Sequence, residues 1–153
     1  RSIRHKYMSA FLLAATGIMG KISFGYMSER ITARRTMMIS LAGQITSIVL
    51  VVLYPSEPAV WFTIPIFGYF MGGYGVLMQL VIQECFGIKE FGSIFGVTLM
   101  FSVASTIVGP LIAGASADIT GSYGTGFIIV ASMFVIALLL LTKAKPIISK
   151  REI

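Results

Sequence analysis

Apolar residues in this chain come in long runs rather than in alternation. Five runs stand out, over about residues 8–28, 36–54, 59–83, 93–117 and 126–142. Each falls in the range of about 17–25 residues that crosses a bilayer as a helix. The period-2 alternation of membrane β-strands is missing from all five. In hydrocarbon every backbone N–H and C=O needs a partner within its own segment or barrel, so runs of this kind predict helices. The predicted fold class is therefore all-α, a polytopic membrane helix bundle of about five transmembrane helices filling residues 1–142. Polar breaks separate the runs: "YPSEP" at 54–58, "QECFGIKEFG" at 83–92 and "ADITGSYGTG" at 117–126. A basic tail follows at 143–153.

Composition reinforces the pattern. The chain of 153 residues is 56% hydrophobic and only 12% charged, where soluble domains carry roughly 25% charged residues. So few charges cannot cover a globule of this size. The formal net charge of +6 raises nucleic acid as a partner, but the basic residues sit at the ends of the apolar runs and form no stripe of their own, which excludes that reading. The predicted partner is the lipid bilayer. Cys85 is the lone cysteine and His5 the lone histidine, so neither a disulfide framework nor a cysteine–histidine metal site is expected. Serine–histidine–aspartate sets, HExxH, phosphate-cradling loops and dinucleotide fingerprints do not occur. The expectation is a protein that is not an enzyme and needs no cofactor or metal. The chain begins at Arg1 with no signal-peptide pattern, and a piece of a longer chain is expected.

Lysine and arginine placement predicts orientation. Loops on one side hold Arg30, Arg34, Arg35, Lys89, Lys143, Lys145, Lys150 and Arg151; the other side holds Arg1, Arg4 and Lys6. The richer side, with the C-terminus, is expected in the cytoplasm, and the N-terminal trio runs against that rule.

Within the five runs Lys21 is the single strongly ionisable residue. A cation at mid-membrane costs about 2.5–3.5 kcal/mol on insertion scales. Its stem either snorkels to the headgroups, or its ammonium faces a watery cavity and meets an anion, or it forms a structural ion pair. Gly17 and Gly25 lie one turn to either side and predict a narrow face that favours a close neighbour or a cavity. Gly68-x3-Gly72 and Gly92-x3-Gly96 are predicted helix contacts. Gly109-Pro110 is predicted to weaken the fourth helix. Gln79 needs a polar partner, and Gln44 is expected to bond a neighbouring helix.

The segment "GYMSERITARR" (25–35) resembles the G-x3-[DE]-[RK]-x-G-x-[RK]-[RK] loop signature of the major facilitator superfamily, through Gly25, Glu29, Arg30, Arg34 and Arg35. It departs in having Glu29 where aspartate is usual and Thr32 where glycine is usual. "ECFGIKEFGSIFG" (84–96) is similar to that family's connector between helices 10 and 11. "GPLIAGASADITGSY" (109–123) is similar to the end of helix 11 in the monocarboxylate and organic-anion porter branches. The resemblance implies a partial major facilitator fold comprising helices 8–12 of the C-terminal half, with the N-terminal half missing.

What the resemblance implies for function is a secondary active transporter working by alternating access, multi-pass in the plasma (inner) membrane. A small, monocarboxylate-like organic anion is the expected substrate. It implies that Glu29 approaches the start of the fourth span, near 92–93, and that Arg30, Arg34 and Arg35 help to close one transport state. Lys21 occupies the spacing at which organic-anion branches carry a cation, but Gly17 stands where the monocarboxylate pattern has an acidic residue, so its proton-coupling pair is missing. The substrate-contact candidates are Lys21, Tyr74, Gln79, Phe101 and Ser105, with Tyr69, Met78, Thr98 and Ser102 beside them. Alternatives are a multidrug or neutral-solute porter of the same fold and a transport-dead, receptor-like membrane protein.

Overall fold

Five helices follow one another in the computed structural model, which describes residues 2–121 and 124–143, with side chains from residue 7 onward. They are α1 (Ser2–Arg30), α2 (Ala33–Leu53), α3 (Glu57–Phe86), α4 (Phe91–Thr120) and α5 (Gly124–Lys143). Each is long and apolar enough to cross a membrane, as the runs predict. The basic tail beyond Lys143 lies outside the described residues.

The helix ends have local causes. Ser56 N–H bonds the Tyr54 carbonyl at 2.8 Å, and Val60 N–H bonds the Ser56 carbonyl at 3.1 Å, which opens α3. Pro58 sits in its first turn, where a missing N–H is harmless, and Glu57 sits there with the sign the helix dipole favours. Gly87 ends α3 in the left-handed region at φ 77, donating to the Gln83 carbonyl at 2.9 Å. Gly121 ends α4 at φ 69, donating to the Ala117 carbonyl at 2.8 Å. Only glycine adopts this cap without a steric penalty. Both α3 and α4 stay helical through their internal prolines, Pro65 and Pro110.

Residues 29–35 form two helix ends rather than an extended loop. Only Ile31 and Thr32 separate α1 from α2. Thr32, at φ −89 and ψ 146, is the N-cap of α2 and accepts from the Arg35 N–H at 3.4 Å. The glycine usual at this position is not needed, because the backbone here is extended and a β-carbon is tolerated. The threonine also supplies an acceptor that glycine lacks.

The chain divides into two units, 1–80 and 81–153. In the first, α1 and α3 touch through bare backbone. A β-carbon at Gly72 would collide with the Gly17 carbonyl, and one at Gly20 with the Tyr69 carbonyl. Gly68 faces the Leu13 carbonyl and the Thr16 hydroxyl. Small residues let membrane helices approach in this way, since lipid provides no hydrophobic drive for helix pairing. Beside this contact Phe24, Tyr69 and Phe70 form a ring cluster with centroids 5.4–5.8 Å apart. Gly73 makes room for Phe24, and Gly43 of α2 makes room for Phe70.

α2 buries a polar stripe: Thr36, Ser40, Gln44 and Ser47, the last three spaced one turn apart. The Ser40 hydroxyl crosses to α3 and donates to the Phe70 carbonyl at 2.7 Å. Gln44, only 3% exposed, donates to the Ser40 hydroxyl at 3.3 Å. Its link to α3 thus runs through Ser40 rather than directly. In the second unit Gly126 of α5 lies against Ser116 and Ala113 of α4, where a β-carbon would come within 2.9 Å of the Ser116 hydroxyl. The pair Gly92 and Gly96, expected as a contact, has nothing among the described residues within 4 Å of a β-carbon at either position.

Two stability outcomes follow for the complete protein in detergent. Gly72→Ala overpacks the α1–α3 contact and is expected to lower stability by about 1–3 kcal/mol, whereas Gly96→Ala leaves the melting temperature unchanged or slightly raised. Equal effects at the two glycines would contradict the contact. Thr32→Ala removes the α2 cap and is expected to lower stability by about 1 kcal/mol, and Thr32→Gly by only a few tenths; denaturation midpoints of the three proteins check this order.

Candidate functional site

On α1, residues advance by about 100° per position. Gly17, Gly20 and Phe24 therefore share the side that meets α3, and Lys21 falls on the flank of that side. Its side chain is exposed. Of the two glycines expected to make its face narrow, Gly17 abuts the α3 backbone, with a β-carbon there 3.5 Å from the Gly68 carbonyl oxygen. Gly25 has open space. Lys21 thus stands beside a tight backbone contact on one side and an uncrowded glycine on the other.

Tyr74 and Gln79 lie on α3 in the same unit, and both are exposed. By helical spacing Gln79 continues the face of Gly68, Gly72 and Gly75, while Tyr74 points away from it. Of the further α3 residues, Tyr69 is engaged in the ring cluster and Met78 is buried.

Phe101 and Ser105 belong to α4, in the second unit, and both are exposed. α4 carries a row of hydroxyls, each committed to its own backbone. Thr98 donates to the Ile94 carbonyl at 2.8 Å, Ser102 to that of Thr98 at 2.9 Å, and Ser105 to that of Phe101 at 2.8 Å. A hydroxyl whose proton is used in this way offers lone pairs outward. An anion needs donors, so Ser105 must release the Phe101 carbonyl before it can bond one. Among these candidates Lys21 is the group whose donors carry a positive charge.

Three of the four charged residues at the α1–α2 junction oppose the helix dipoles. Glu29 lies in the last turn of α1, at a negative end, and Arg34 and Arg35 lie in the first turn of α2, at a positive end. Each such placement is unfavourable by about 0.3–1 kcal/mol when exposed. Arg30 alone has the sign its helix end favours. It also contacts Tyr26, one turn earlier: its guanidinium carbon lies over the ring, 5.2 Å from the centroid, and a terminal nitrogen donates to the phenolic oxygen. The sequence reading missed this pair, although the i, i+4 spacing of Tyr26 and Arg30 signals it. Gly25 and Glu29 lie within α1. Among the described residues no three metal-ligating side chains come together.

Comparison with known proteins agrees with this architecture. The chain is 30% identical to monocarboxylate transporter 12 of Rattus norvegicus over 154 aligned positions, covering 95% of this chain and 31% of that protein. It is 28% identical to monocarboxylate transporter 12 of Homo sapiens, covering 94% and 29%. The Xenopus laevis protein of the same name is 28% identical, with 91% and 32% covered. The chain therefore spans about 30% of the length of these curated relatives, and the resemblance to the monocarboxylate branch is met by the name they carry. No solved structure matches the chain at a significant level. The family model described as Major Facilitator Superfamily matches residues 7–152. With five apolar helices in series and that match over nearly its whole length, the chain belongs to the Major Facilitator Superfamily.

Proposed function

We propose that this chain is the C-terminal part of a secondary transporter that moves a small, monocarboxylate-like organic anion by alternating access between two halves. The observation that carries the proposal is Lys21. It is the one strongly ionisable residue within the five apolar runs, it is exposed in this chain, and it flanks the glycine contact of α1 with α3. A cation kept in an apolar helix at an insertion cost of about 2.5–3.5 kcal/mol marks a substrate path by default. The relatives named monocarboxylate transporter support an anionic solute.

Tyr74 and Gln79 are the further proposed contacts in the first unit, Gln79 through an amide that needs a polar partner in the membrane. Phe101 and Ser105 are proposed contacts on α4. Gly25, Glu29, Arg30, Arg34 and Arg35 form the proposed gating element. Their clustering at the short junction between two membrane-length helices supports this. The bilayer, the missing N-terminal half and the anion are the partners. The arginine-rich side and the C-terminus are assigned to the cytoplasm by the positive-inside rule, in a plasma (inner) membrane.

Uptake of labelled carboxylates by the complete protein in proteoliposomes tests this reading. Lys21→Gln is expected to reduce uptake at low substrate about 10–100-fold, the range of a lost charged hydrogen bond of about 1.5–3 kcal/mol, and Lys21→Arg to keep part of it. Undiminished uptake by Lys21→Gln would defeat the anion contact, and if neutral solutes were carried equally well the neutral-solute porter would replace it. Absence of flux across a panel of solutes would favour a receptor-like protein. Reconstituted alone, residues 1–153 are expected to carry nothing, because alternating access requires both halves; measurable flux would refute the mechanism.

A further inference from the structure

α1 carries a second organised surface, on the side away from α3. Helical spacing sets Met19, Ile22 and Tyr26 opposite the glycine contact, and they are 63%, 71% and 59% exposed. The apolar stripe ends at Tyr26, and one turn later stands Arg30, the last residue of the helix. The guanidinium is held over the Tyr26 ring at 5.2 Å, with one N–H given to the phenolic oxygen. A guanidinium has five N–H donors, and the bond to Tyr26 uses one of them, so others remain for a partner. Arg34 and Arg35 follow within the next turn of chain. Between residues 29 and 35 the sequence holds three arginines and one carboxylate, Glu29.

We propose that Tyr26 and Arg30 form a docking site for an anionic phospholipid, whose phosphodiester takes the free edge of the guanidinium and whose acyl chain lies along Ile22 and Met19. The depth fits: tyrosine rings favour the headgroup level of a bilayer, and this ring is at the end of a membrane-spanning helix. The charge fits, since phosphate recognises a planar guanidinium with two parallel hydrogen bonds. Continuity of the apolar stripe with the cation commits the site to a lipid, because a soluble phosphate would leave Ile22 and Met19 uncovered. The proposal depends on α1 spanning a membrane and not on the identity of the transported solute.

The test uses the complete protein in mild detergent, titrated with phosphatidylglycerol, phosphatidylcholine or inorganic phosphate while bound lipid is counted by native mass spectrometry. Arg30→Gln is expected to weaken phosphatidylglycerol binding about five-fold, the contribution of one basic residue near an anionic surface. Tyr26→Leu alters no charge and is expected to weaken it by a factor of about 2–5, the worth of an exposed cation–π contact. Tyr26→Phe keeps the ring and retains most of the affinity, which separates loss of the cation–ring contact from loss of the fold. Tyr26→Leu binding phosphatidylglycerol as tightly as the parent protein would overturn the site, as would equal binding of phosphatidylcholine. Full competition by inorganic phosphate at equal concentration would overturn the lipid as its occupant.

Discussion

The contact on which the first unit depends is backbone against backbone. Gly17 and Gly20 of α1 meet Gly72 and the Tyr69 carbonyl of α3 with no side chain between them. Within a bilayer neither helix gains by hiding apolar surface from water, so van der Waals fit at short range must hold them together. The neighbouring features complement that approach. Phe24 lies across Gly73, Phe70 fills the space that Gly43 leaves on α2, and Ser40 reaches the Phe70 carbonyl. Lys21 takes its place from the same contact: one turn from Gly17, it stands beside the joint rather than within it.

The helices could be read from the sequence, but their ends could not. Hydropathy marks the slab of lipid, whereas a helix ends where its hydrogen-bond ladder runs out or meets a cap. Arg34 and Arg35 therefore read as loop residues and are helical, because Thr32 caps α2 just before them. Glycine spacing was an incomplete guide for a related reason. Gly68-x3-Gly72 and Gly92-x3-Gly96 have the same pattern, and among the described residues only the first meets a partner. Small residues permit close approach without naming what approaches. Gly20 and Gly43 went unremarked because their partners, the Tyr69 backbone and the Phe70 ring, are distant in sequence.

The candidate site was legible where it broke a rule. A lysine in an apolar run is an anomaly that composition alone exposes, and so is a cluster of arginines between two such runs. The hydroxyls of α4 follow a common rule and conceal their state. Nothing in the spacing of Thr98, Ser102 and Ser105 reveals that each donates to a carbonyl of its own helix. The Tyr26–Arg30 contact was hidden differently, since tyrosine and arginine near a membrane surface are each ordinary and only their pairing is informative.

The join between α1 and α2 has a mechanical consequence. With Ile31 and Thr32 alone between them, three Cα-to-Cα steps of about 3.8 Å limit the span from Arg30 to Ala33 to on the order of 11 Å. A slide of α1 along its axis by one helical turn, about 5.4 Å, uses up a large part of that tether. The two helices are therefore leashed as a hairpin, and because Ser40 fastens α2 to the α3 backbone, a push on the helix that bears Lys21 is felt along all three.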